Sequence, residues 1–185
     1  NLLLGSFIFW WLKPLFDRIP LLVYSQGIFG APLTLAQTLR ALPRACKTGL
    51  LGSLTLARFS LRRSFVLPIL QLEGLRGKRK QNRLQALSRH SGGQYTITKL
   101  CLSLEFVCQI GLLFLVFIFL PIEADWAFYL ESWWNWLQIQ NTWFEYLSYA
   151  LYVLIVSVIE PLYIACGFSL YLSRRTVLEG WDLEI

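Results

Sequence analysis

Charge and catalytic side chains are what this sequence lacks. Only 15% of its 185 residues are charged, it has a single histidine, His90, and it contains no methionine. An ordinary soluble domain carries roughly 25% charged residues and needs them to wet its exterior. Metal-assisted hydrolysis needs clustered His, Cys or carboxylate ligands, which one histidine in a basic stretch does not supply; His90 is expected at the surface. The chain has no HExxH, no GxSxG elbow and no GxxxxGK[ST] phosphate loop. Its four cysteines, Cys46, Cys101, Cys108 and Cys166, form no CxxC pair, so neither a zinc site nor a dithiol redox motif is indicated. The expectation is a protein that is not an enzyme and that uses no metal and no cofactor.

Apolar and aromatic residues fill the space left by charge. They make up 56% of the chain, with 8 Trp, 8 Tyr and 13 Phe, and mean hydropathy is +0.51. Disorder is excluded by those values. The composition predicts an all-α, polytopic membrane protein in a single membrane domain. The chain opens abruptly on an apolar run, residues 1–12, with no signal-peptide pattern. A piece truncated at the amino end, with further membrane sequence upstream, is therefore expected.

Three spans are predicted. Residues 100–121 form an uninterrupted apolar stretch between Lys99 and Pro121, and about 20 helical residues cross the hydrocarbon core. Residues 146–172 form a second, interrupted by Glu160-Pro161 and closed by Arg174 and Arg175. Residues 1–29 are read as one tilted helix kinked at Pro14 and Pro20; the alternative is a short span ending at Lys13, followed by an interfacial helix.

Charge is sorted along the chain. Residues 31–99 hold thirteen Lys or Arg against one acid, Glu73, a balance of +12, whereas residues 121–145 hold four acids and no base. The positive-inside rule then places 31–98 in the cytoplasm and the loop 122–144 in the periplasm, a topology of the bacterial inner membrane. Within the basic region, helices are expected at 34–42, 43–58 and 69–89. Arg40, Arg44 and Lys47 share one face and Leu35, Leu39 and Leu42 another, the pattern of helices lying in the interface. Arg76, Lys78, Arg79, Lys80 and Arg83 are expected to contact anionic headgroups, because no aromatic residues interleave them for base stacking. Membrane lipids and other envelope proteins are thus the expected partners, and nucleic acid is not. Trp126, Trp133, Trp134, Trp136 and Trp143 in or next to the periplasmic loop are expected to form an indole belt at the outer interface.

The intramembrane charges carry the sharpest expectation, since a carboxylate inside a span implies a partner. Glu160 lies about 21 Å up its helix from Arg174, and Lys13 about 24 Å up from residue 29. Depth matching predicts that Lys13 or Arg18 pairs with Glu160 and that Asp17, one turn from Lys13, completes the cluster. Glu105, six residues from Lys99, is left outside it because its chain can snorkel.

The stretches EPLYIACGFSLYLSRRTVLEGWDLEI, WWLKPLFDRIPL and LQLEGLRGKRKQNRL resemble an uncharacterised family of bacterial polytopic inner-membrane proteins. The likeness runs along most of the chain and implies a location and a topology, not a reaction. A fainter resemblance is to the membrane domain that precedes some bacterial glycerophosphodiester phosphodiesterases, whose catalytic domain has no counterpart here. Scaffold or accessory subunit of a cell-envelope assembly is the expected role, with a transport component using the charge cluster as the alternative.

Overall fold

A computed structural model describes residues 2–28, 30–31, 33–46, 49, 52, 54–55, 60–88, 92–119 and 142–180. Among these residues the regular structure is entirely helical: α1 (Leu2–Phe16), α2 (Arg18–Ile28), α3 (Leu35–Cys46), α4 (Arg63–Gln71), α5 (Gly77–Ser88), α6 (Gly93–Phe119) and α7 (Thr142–Glu179). Two of them are long and apolar enough to cross a membrane, over Gly93–Val116 and Glu145–Glu179.

The first apolar segment is two helices rather than one. Pro20 has no N–H for the carbonyl of Phe16, and its ring crowds that carbonyl. The helix therefore breaks at Asp17, although the Asp17 N–H still donates to the Lys13 carbonyl at 3.0 Å. The 15 residues of α1 reach only about 22 Å. In the basic region, α3 runs through Pro43 instead of restarting there. Its first turn is held by a capping box: the Thr34 N–H donates to Gln37 Oε1 at 2.9 Å, and the Gln37 N–H donates to Thr34 Oγ1. The helix expected over 69–89 is interrupted between Gln71 and Gly77, where Gly74 and Gly77 take φ of +64° and +58°, values disfavoured for other residues.

α7 is the hub of the packing and touches α1, α2, α4, α5 and α6, while α2 also packs on α3 and α4. It is continuous through Pro161. α6 and α7 form an antiparallel hairpin: Gly93 meets Leu170, Thr98 meets Tyr163, and Gln109 reaches the Ser148 carbonyl. α1 and α2 run along α7 in its own direction, from Phe9 beside Tyr149 and Tyr152 to Tyr24 beside Pro161. The core lies at the carboxyl half of α7, where Tyr163, Ile164, Phe168 and Tyr171 pack with Leu21, Phe65, Leu67, Ile69 and Leu87. By contrast α6 turns much of its apolar surface outward, with Leu100, Phe106, Val107 and Phe119 each more than 60% exposed.

α4 and α7 cross in close contact at Gly167. A Cβ on Gly167 would come within 2.7 Å of the Ser64 carbonyl carbon, so only glycine permits this crossing. Gly167→Ala should therefore destabilise the protein by about 1–3 kcal/mol through overpacking. Gly111→Ala, at a position with nothing within 4 Å, should stay within about 1 kcal/mol. Thermal unfolding in detergent micelles measures both.

Candidate functional site: a buried ionic cluster

Five ionisable side chains from four helices and one helix junction meet beside the middle of α7. Lys13 of α1 lies 2.7 Å from Glu105 of α6 and 3.6 Å from Glu160 of α7. Arg63, the first residue of α4, pairs through Nε with Asp17 at 3.1 Å and through Nη2 with Glu160. Asp17 is 1% exposed and Lys13 4%, so these charges depend on one another rather than on solvent. Aromatic faces close the surround: Lys13 sits 5.6 Å from the Tyr152 ring centre and Arg63 5.3 Å from that of Tyr163.

A hydrogen-bonded chain fixes the position of α4. The Ser64 N–H donates to Tyr163 Oη at 3.2 Å. Tyr163 Oη and Thr98 Oγ1 are 3.1 Å apart, and Thr98 Oγ1 is 2.7 Å from the Leu61 carbonyl. Since Thr98 has one proton and the Leu61 carbonyl only accepts, Tyr163 is the donor to Thr98. The chain joins α4, α7 and α6 at the level of Arg63. A cavity of about 210 Å³ borders the cluster, touched by Lys13, Arg63, Glu105, Glu160, Thr98 and Tyr163.

Of the residues picked from sequence, Lys13, Asp17 and Glu160 come together, with Lys13 rather than Arg18 beside Glu160. Asp17 is ion-paired with Arg63, and among the described residues no ion pair joins Arg18 to Glu160. Arg18 is fully buried and donates through Nη1 to the Ala45 carbonyl of α3, while its own carbonyl accepts from Gln71 Nε2 at 3.2 Å. It ties α2 to α3 and α4. Glu105 belongs to the cluster because Lys13 meets it before it can snorkel. Arg63 was missed altogether. Its signal was the run that follows it, Ser64–Leu70, too apolar to lie on a wet surface; six of these seven residues are buried.

The basic surface residues also separate. Arg76, Lys78 and Arg79 are exposed and Lys80 is half-buried. Arg83 turns inward: its Nε and Nη2 grip the two oxygens of Glu73 at 3.0 and 3.1 Å, and Nη2 also reaches Glu179 at 2.5 Å. Those hydrogen bonds to Glu73 and Glu179 hold its guanidinium above the usual pKa. Tyr171 Oη donates to Glu73 at 2.6 Å, so the network clamps α5 to α7. Trp126, Trp133, Trp134, Trp136 and His90 lie outside the described residues, as does the Trp143 side chain. Among the described residues, no group of three His, Cys, Asp or Glu side chains is placed to hold a metal ion. Comparison with protein-family models, curated proteins and solved structures finds no match for the chain.

Arg63→Met would leave Asp17 and Glu160 without their shared cation and should cost about 3–5 kcal/mol. Adding Asp17→Asn and Glu160→Gln should recover much of that loss, because no uncompensated carboxylate then remains buried. Chemical unfolding of the purified variants in detergent measures the recovery.

Proposed function

We propose that this chain is a non-catalytic, multi-pass protein of the bacterial inner membrane that serves as a scaffold or accessory subunit of a cell-envelope assembly. The observation that carries the proposal is the ionic cluster, whose charges are spent on fastening α1, α4, α6 and α7 to one another. Such a device fixes helix register, and a rigid helical surface is what an assembly partner needs. The outward apolar face of α6 suits lipid, or a partner's helix within lipid, far better than water. In this reading α6, α7 and the α1–α2 pair are the three spans, and the basic region faces the cytoplasm. Arg76, Lys78, Arg79 and Lys80 then rest on anionic headgroups, while Arg83 is structural. The sequence resemblance to polytopic inner-membrane proteins supports the same location.

A second reading, transport, is favoured by a specific observation. The cavity of about 210 Å³ opens directly onto Lys13, Arg63, Glu105 and Glu160, and ionisable groups at such a site can pass a proton or ion.

Neutralising one pair, Lys13→Met with Glu105→Gln, separates the two. A scaffold should unfold at lower temperature and run as a smaller complex in native gels of solubilised membranes, with no change of flux in proteoliposomes. A variant that keeps its unfolding temperature and complex size but loses proton flux supports transport and contradicts the scaffold.

A further inference from the structure

A second cavity, of about 230 Å³, lies between α4 and α5, lined by Ser60, Arg62 and Lys80 together with Val66, Leu70 and Leu84. Arg63 also borders it, but that guanidinium is committed to Asp17 and Glu160. No carboxylate lines it among the described residues.

The two remaining cations are placed but not neutralised. Arg62 donates through Nε to Tyr95 Oη at 2.5 Å and stacks over that ring at 4.9 Å, which orients its plane and uses one of its five N–H donors. Lys80 is half-buried and has no ion pair among the described residues. Among the described residues, the acids at this end, Glu73 and Glu179, are both taken by Arg83, Glu73 also by Tyr171 and Glu179 also by Arg175. The same network holds α5 in place, so Lys80 is kept at the cavity rather than drawn to an acid.

Two fixed cations and a hydroxyl over an apolar wall match an anionic group carried on a hydrocarbon body. The wall offers no aromatic face on which a nucleotide base could stack. A free oxyanion would gain nothing from Val66, Leu70 and Leu84. We propose that this cavity binds the headgroup phosphate of one anionic phospholipid, held by Arg62 and Lys80, with the start of its acyl region against the three apolar residues. The proposal rests on the membrane reading above and adds a defined site to a basic surface.

Native mass spectrometry of the intact protein in detergent, titrated with phosphatidylglycerol or phosphatidylcholine, tests it. One phosphatidylglycerol should bind saturably and in preference to phosphatidylcholine. Lys80→Gln should weaken that binding roughly tenfold, the effect of one charge-assisted contact, and Lys80→Arg should largely restore it. Lys78→Gln should change it less than about twofold, as expected of an exposed charge. Equal losses at Lys78 and Lys80 would mean a diffuse basic surface, overturning the site while leaving the membrane reading intact. Inorganic phosphate displacing the lipid at equal concentration would overturn the lipid assignment, and no preference over phosphatidylcholine would overturn the site itself.

Discussion

Arg63 sits between two carboxylates and pairs with both. One, Asp17, stands at the break between α1 and α2; the other, Glu160, is buried at the middle of α7. Removing any one member leaves a charge in surroundings with too little water to solvate it, a penalty of several kcal/mol. That constraint governs the neighbouring geometry. It holds the first turn of α4 against α7, which in turn requires glycine at position 167 and brings the Ser64 N–H to Tyr163. It also leaves Lys13 to join Glu160 to Glu105, so that α6 is tied to α1 through charge as well as to α7 through the hairpin.

Among the described residues, two ionic clamps thus sit on one long helix. The inner one, around Arg63, is buried; the outer one, around Arg83, is partly exposed and joins Glu73, Glu179 and Tyr171. Between them lies the apolar core contributed by α2, α4, α5 and α7. α7 has 38 residues, about 57 Å of helix, well beyond the roughly 30 Å of a hydrocarbon core. α4 and α5 pack along the carboxyl half of this helix, from Glu160 to Glu179.

Much of this was legible in the sequence, and the failures share a cause. The helical class and the two long apolar helices follow from apolar runs bounded by Lys99, Pro121, Arg174 and Arg175, which need no tertiary information. Depth matching along straight helices brought Lys13, Asp17 and Glu160 to one level. It could not find Arg63, because a residue in a short helix of a basic region has no depth until that region's packing is known. Arg18 was placed with the cluster for a related reason: charge alone does not reveal that a guanidinium donates to a backbone carbonyl, here that of Ala45. Gly74 and Gly77 were visible as glycines, yet the basic residues around them continued a helical pattern, and only the positive φ values mark the turn.

Docking of α4 on α7 is the central claim, and its most direct measurement is amide hydrogen exchange of the intact protein in detergent, read segment by segment. The account predicts slow exchange across residues 64–70, where the Ser64 N–H is held by Tyr163 and the helix is buried, and much faster exchange there when Arg63 is changed to Met. Exchange across 64–70 as fast as in the exposed first turn of α5, in the protein that retains Arg63, would contradict it.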